Sequence, residues 1–205
     1  MTLIKICGIT NKIDAVNASK LGVDMLGFVF YKKSKRYVDL NTAREIINEL
    51  PEPIAKVGVF VDEDAGKVRA IAEDAALDTL QFHGDETPEY CAAFKGGYKV
   101  IKAFKLKERE DLKPISLYDV DFYLVDTHKY GLAGGTGEAF DWKILKDFEF
   151  LKPVILSGGL NPDNVARAIL EVVPYGVDVS TGVEESAGKK SLRLLKRFVE
   201  EVRKV

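Results

Sequence analysis

Cysteine is almost missing from this chain: two residues of 205, Cys7 and Cys91, with no CxxC pair and no cysteine–histidine cluster. That excludes a disulfide framework and a zinc site of the usual spacing, so no metal is expected, and a reducing, cytoplasmic location is. Long apolar runs are missing too: none approaches the roughly 18 residues of a membrane span. The start MTLIKICGIT has no cationic stretch leading into a long apolar one, so neither a signal peptide nor a membrane partner is expected. Nor is there an excess of positive charge. Lys+Arg 30 against Asp+Glu 32 leaves a net charge of -2, which removes the basic field that would recruit nucleic acid. No Pro/Gly/Ser-rich linker divides the chain, and residues 1–205 are read as one domain.

With 46% hydrophobic and 30% charged residues, what remains reads as a globular protein. Short β-branched or aromatic runs recur along it: LIKIC (3–7), MLGFVFY (25–31), IAKVGVFV (54–61), TLQFH (79–83), YKVIKAF (98–104), FYLVDT (122–127), PVILSG (153–158) and GVDVSTG (176–182). Their spacing is too long for hairpins and suits strand–helix–strand units. Helical patterns fall between them. KIDAVNASKL places Ile13, Val16 and Leu21 near one face; NTAREIINEL has Asn41 as its cap; GLNPDNVARAIL offers Asn161 as cap with Pro162 at the first helical position; SLRLLKRFVEEV follows the last strand. The stretch 107–118 is interrupted by Pro114 and predicts a short or broken helix. Eight strands alternating with about eight helices predict a closed (β/α)8 barrel of the TIM type. An open doubly wound sheet is the competitor, but LIKICGIT lacks the GxGxxG turn a dinucleotide-binding half would carry.

Alternation along barrel strands sends every second side chain to the interior. Ile4 and Ile6 then face the helices while Lys5 and Cys7 point inward; Gln81 and His83 point inward beside outward Leu80 and Phe82. The same parity aligns Asp126 with Leu124, aligns Ser180 with Asp178, and is taken to turn Lys102 to the interior. Polar residues thus converge on the axis from five strands. A barrel built only for stability would fill those places with Val, Ile and Leu, because each unpaired buried polar group costs about 1–3 kcal/mol. Simpler roles exist for each one alone. Cys91, in PEYCAAFK, reads as a small core hydrophobe; Asp126 can cap a following helix; His83 can be a satisfied rim histidine; Lys102 can balance interior carboxylates.

Two glycine-bearing loops end the seventh and eighth runs. ILSGGLNPDNV supplies Gly158 and Gly159 before a helix start, and GVDVSTGV supplies Ser180, Thr181 and Gly182. Glycine lets backbone N–H groups approach an anion closely, and in (β/α)8 enzymes these two loops often build a phosphate site. GLAGGTGE (131–138) lacks the GK[ST] ending of a nucleotide loop and reads as an active-site lid. The basic cluster YKKSKRYV is either a solvated loop or the place where Arg36 grips a substrate carboxylate through a forked contact.

KICGIT, GFVFYKKSKRYV, VGVFV, QFHGDE, LVDT, GGTGEAFDW, LSGGLNPDNV and DVSTGVE together resemble phosphoribosylanthranilate isomerase, over essentially the whole chain. The resemblance implies a (β/α)8 barrel that carries out the Amadori rearrangement of N-(5'-phosphoribosyl)anthranilate in tryptophan biosynthesis, with no cofactor or metal. It places the general base at Cys7 and the general acid at Asp126. It puts the anthranilate-contacting arginine at Arg36, the acidic residue of the last strand at Asp178, and His83 among the substrate-binding residues. Phosphate contacts fall on the backbone around Gly158, Gly159, Ser180, Thr181 and Gly182. Glu138 departs from the family, whose members often carry a basic residue there. A small phosphoribosyl substrate is the expected partner, and neither monomer nor homodimer is selected.

Such a rearrangement needs an acid to open the furanose ring and a base to take a proton from the neighbouring sugar carbon. An aspartate at its ordinary pKa of about 4 is a poor acid at neutral pH, so burial or a neighbouring carboxylate is expected to raise Asp126. A thiol near pKa ~8.5 is barely ionised there, and inward Lys5, about 6–7 Å along the same strand face, is expected to favour the thiolate of Cys7. Indole-glycerol-phosphate synthase, a related phosphosugar barrel with a catalytic lysine, is the rival enzyme. A histidine-pathway isomerase would pair aspartates at the first and fifth strands, where this chain has Cys7 and Lys102. A non-catalytic phosphate-binding barrel is the rival outside catalysis, and it leaves the inward Cys7 and Asp126 unexplained.

Overall fold

The computed structural model describes residues 1–51, 53–126, 142–145 and 147–205. Eight strands pair in chain order and the last returns to the first, closing a barrel. They are β1 (Leu3–Cys7), β2 (Met25–Val29), β3 (Ala55–Phe60), β4 (Thr79–Phe82), β5 (Lys99–Lys105), β6 (Phe122–Asp126), β7 (Val154–Ser157) and β8 (Gly176–Val179). All eight pairings are parallel. Around them lie α1 (Lys12–Lys20), α2 (Leu40–Ile47), α3 (Ala65–Asp74), α4 (Pro88–Ala92), α5 (Val165–Val172) and α6 (Leu192–Arg203). A 3₁₀ segment, Arg109–Leu117, stands between β5 and β6, where Pro114 denies the regular α-helical bond pattern. After β8 come a 3₁₀ turn (Thr181–Val183) and a small hairpin, β9 (Glu184–Ser186) with β10 (Lys189–Lys190). None of the helices described is long and apolar enough to cross a membrane.

Strand parity divides the core in two. Outward residues such as Ile4, Ile6, Leu26, Phe28, Leu80 and Phe82 pack with the helices, whereas Met25, Val57, Ile101, Ala103, Leu124 and Ile155 fill the barrel interior. That interior plug is apolar and leaves the next inward positions, toward the strand C-terminal ends, to polar residues. Register is pinned by a repeated device at the opposite end. The carboxylates of Asp24, Asp78 and Asp121 accept the backbone N–H of Ile4, Lys56 and Val100. Each aspartate just before an even-numbered strand thereby ties off the strand before it, so a slip of either strand would break a charge-assisted bond.

Several local expectations are corrected. Lys102 points out of the barrel, because Ile101 and Ala103 take the interior positions of β5. Its Nζ is buried against the helix layer, 2.8 Å from Glu86 Oε2 and 2.7 Å from the Gly84 carbonyl. Helix α1 is turned so that Ala15, Ala18 and Asp14 are buried and Ile13 is 73% exposed. Two small alanines let that helix lie close on the barrel, a signal that counting bulky side chains misses. Asp39, not Asn41, caps α2 by accepting the N–H of Thr42. Asn161 accepts the N–H of Asp163 at 2.8 Å in a turn, and α5 itself begins only at Val165. Cys91 is buried in the core as expected, and burial pushes its thiol up to about 12.

Candidate active site

The strand C-terminal ends gather a continuous polar arc. Cys7 ends β1 and is 9% exposed, with Lys5 fully buried two residues earlier on the same face. Lys5 Nζ donates to Asp178 Oδ1 of β8 at 2.8 Å, and Ser157 Oγ of β7 donates to Asp178 Oδ2 at 3.1 Å. Ser157 is in turn the register partner of Asp126, the last residue of β6. Asp126 Oδ2 lies 3.4 Å from His83 Nε2, which reaches it from beyond the end of β4. Gln81 Nε2, inside β4, is 2.9 Å from His83 Nδ1. Four neighbouring strands, β6, β7, β8 and β1, thus carry the arc from Asp126 round to Cys7, and β4 closes on it from the other side.

Room for this arrangement is made at one backbone position. Gly27 of β2 is the register partner of Cys7. A Cβ placed on it would sit 2.9 Å from Cys7 Sγ and 3.2 Å from Lys5 Nζ. Sulfur and ammonium therefore both press on the same glycine. Gly27→Ala is expected to displace one of them and to lower kcat about tenfold or more, with a stability loss of about 1–3 kcal/mol from overpacking. Steady-state kinetics and thermal unfolding on the same preparation check this.

Charge balance in the arc is uneven. Burial lowers the Lys5 pKa, but the facing Asp178 carboxylate and the Cys7 sulfur outweigh it, so Lys5 titrates above its ordinary range. For Cys7, burial raises the pKa and Lys5 lowers it; burial wins, and the thiol sits above its usual value. The expectation that Lys5 favours the thiolate holds in direction only.

A second cluster stands on the loops after β2 and β8. Arg36 makes a forked pair with Glu184, Nε to Oε1 at 3.1 Å and Nη2 to Oε2 at 2.6 Å. Buried Lys190 shares Oε1 at 3.0 Å and donates to the Ser180 carbonyl at 3.1 Å. The bond to Glu184 is the main reason the Arg36 pKa is raised. Burial raises the Glu184 carboxyl, but Arg36 and Lys190 more than offset it and its pKa is lowered. Arg36 also packs on the main chain after Cys7: a Cβ on Gly8 would meet its Cγ at 2.9 Å. The basic stretch therefore divides. Lys32 and Lys33 face solvent, whereas Arg36 is tied to the rim.

In the loop after β7, Gly158 and Gly159 have φ of 93° and 69°, a conformation that disfavours any side chain. Gly182 lies so close under the loop after β7 that a Cβ there would overlap the carbonyl oxygen of Leu160. The loops carrying Gly158–Gly159 and Ser180–Gly182 are thereby pressed together. The loop 131–138, including Glu138, lies outside the described residues.

The sequence marks Gln81 as inward without giving it a role, and it does not single out Gly27, Ser157, Glu184 or Lys190. A glycine inside a strand and a serine in step with Ile155 were legible signals. The Glu184–Lys190 pair was not, since only the hairpin after β8 brings it to Arg36.

A closed (β/α)8 barrel with its ionisable groups gathered where the strands end is the arrangement of a barrel enzyme. Residues 4–201 match the family model for N-(5'-phosphoribosyl)anthranilate (PRA) isomerase. The N-(5'-phosphoribosyl)anthranilate isomerase of Caldanaerobacter subterraneus subsp. tengcongensis is 49% identical over 205 residues, covering all of both chains. The crystal structure of the phosphoribosyl anthranilate isomerase from Thermotoga maritima superposes with a TM-score of 0.93 at 40% identity, again over all of both chains. A further solved phosphoribosyl anthranilate isomerase, 38% identical with a TM-score of 0.88 over the full length of both, is in complex with reduced 1-(o-carboxyphenylamino)-1-deoxyribulose 5-phosphate. This chain belongs to the N-(5'-phosphoribosyl)anthranilate isomerase family.

Proposed function

We propose that Cys7 and Asp126 are the base and the acid of this family's reaction, the isomerisation of N-(5'-phosphoribosyl)anthranilate to 1-(2-carboxyphenylamino)-1-deoxyribulose 5-phosphate in tryptophan biosynthesis. The observation that carries the assignment is the polar arc: Asp126, Ser157, Asp178, Lys5 and Cys7 follow one another round the barrel mouth, so one ligand spans both ends. Asp126 gives its proton to the furanose ring oxygen, the bond from that oxygen to the anomeric carbon breaks, and a protonated imine forms. Cys7 takes the proton from the next sugar carbon. The electron pair moves to neutralise the imine, leaving an enolamine that tautomerises to the ketone. The imine's positive charge adds to that of Lys5 and offsets the burial that holds the Cys7 pKa above its usual value.

Asp178 keeps one face for the ligand, being fixed by Lys5 and Ser157 on the other. Arg36, aimed by Glu184, offers its remaining N–H groups to the anthranilate carboxylate. Backbone N–H groups around Gly158, Gly159, Ser180, Thr181 and Gly182 receive the phosphate. The reaction as written needs no metal or cofactor. The cytoplasm, reducing enough for two free cysteines, is the compartment that fits. Residues 1–205 form one domain in this reading, because β1 pairs with β8 and α6 packs on α1. Phosphoribosylantranilate isomerase from Thermotoga maritima is described as dimeric, and a homodimer is the assembly proposed here.

The test is direct. Purified protein with no added metal is given freshly prepared phosphoribosylanthranilate, and substrate consumption is followed by anthranilate fluorescence. Conversion without release of carbon dioxide supports the assignment. Carbon dioxide release points to ring-closing decarboxylation, and binding without turnover to a phosphate-binding scaffold.

A further inference from the structure

Gln81 occupies a place where an aliphatic residue would be more stable. Strand β4 turns it into the barrel between Val59 of β3 and Ile101 of β5, and it is 1% exposed. Among the described residues its buried Oε1 has no hydrogen-bond partner. Leucine or methionine would fill the same space with no orphaned oxygen. What the amide gains is at its other end, where Nε2 faces His83 Nδ1 at 2.9 Å. With the amide nitrogen as donor to His83, Nδ1 is the bare acceptor, and the single proton of a neutral ring then sits on Nε2. That nitrogen faces Asp126 Oδ2 at 3.4 Å, a separation that ligand binding can tighten.

With the histidine N–H directed at Oδ2, the carboxylic proton of Asp126 is left to its other oxygen. Once that proton has gone to the sugar, the same N–H faces the new carboxylate. In the opposite tautomer a bare Nε2 would face Asp126 and compete with the sugar for the acid's proton. We infer that Gln81 is a positioning residue for the rearrangement: its amide holds His83 in the Nε2–H tautomer, which keeps the proton of Asp126 on the oxygen that serves the substrate. The inference rests on the reading of Asp126 as the acid, and it goes beyond that reading by giving the acid a two-residue support reaching into the barrel.

The chain has two histidines, His83 and His128, so long-range ¹H–¹⁵N spectra of the imidazoles are simple, and His128→Asn assigns them. His83 in the parent protein is expected to show a protonated Nε2 and a bare Nδ1. Gln81→Met, similar in size and unable to donate, is expected to give a mixed-tautomer pattern. Its kcat should fall about tenfold or more while KM stays within about threefold, the split expected when only the transition state loses support. Its thermal midpoint should equal or exceed the parent's, since an orphaned oxygen has been removed; a purely structural glutamine predicts the opposite.

A proton on Nδ1 in the parent, a parental kcat in Gln81→Met, a higher KM at parental kcat, or a loss of activity that follows a lowered midpoint would each overturn the inference. Asp126→Asn separates the two levels. Should that variant turn over at the parental rate, the acid assignment falls and takes this inference with it. Should it be slow while Gln81→Met is as fast as the parent, the assignment stands and the inference alone is lost.

Discussion

The Cys7→Ala variant is expected to turn over about 10²–10⁴-fold more slowly than the parent, the usual loss for one general acid–base group. Affinity for a reduced product analogue should stay within about threefold, because Lys5, Asp178 and the loops after β7 and β8 remain. Cys7→Ser should be nearly as slow. Its hydroxyl fits the space beside Gly27 but is far less acidic than a thiol, so it supplies almost no base near neutral pH. Ring opening survives in both variants, since Asp126 is untouched. Removal of the sugar C2 proton then limits the rate, and substrate deuterated at that carbon should show a full primary isotope effect. Near-parental turnover in Cys7→Ala would remove the thiol from the mechanism.

Asp126→Asn is expected to lose a similar factor, about 10²–10⁴ in kcat, by a different step. The amide keeps the shape and stays within reach of His83 Nε2, but it has no proton to give to the ring oxygen. Ring opening becomes limiting, and the C2 deuterium effect should shrink toward unity. The two variants are thus equally slow and oppositely sensitive to deuterium. An isotope effect that is full in both, or absent in both, would contradict the division of labour between them.

Much of this is legible in the sequence alone. Eight strand runs, their order and the inward parity of Cys7, Gln81, His83, Asp126 and Asp178 followed from alternation, because a strand's side-chain period leaves only two choices. Strand β5 shows the limit. In YKVIKAF both faces carry apolar residues, so the period alone cannot say which face is inside; the barrel takes Ile101 and Ala103 inward and leaves Lys102 outside. Helix faces were harder, as α1 shows: it buries two alanines and an aspartate and leaves Ile13 in water. The net ionisation of Cys7 was not legible either. Strand spacing brings Lys5 close, yet burial outweighs the ammonium, and Asp178, more than 170 positions away in the chain, adds to the upward shift.

Alkylation of the Cys91→Ala variant by a small haloacetamide, with activity and label incorporation followed together, is the most direct measurement of whether the sulfur at the end of β1 works in the same mouth as Asp126. One label at Cys7 should abolish turnover, and product analogue should protect against it. Only the thiolate reacts, and burial holds the Cys7 pKa above its usual value. The inactivation rate should therefore climb about tenfold per pH unit across the neutral range, with no plateau below about pH 8.5. A fully labelled Cys7 in a protein that still isomerises phosphoribosylanthranilate, or labelling that bound product does not slow, would contradict the shared site.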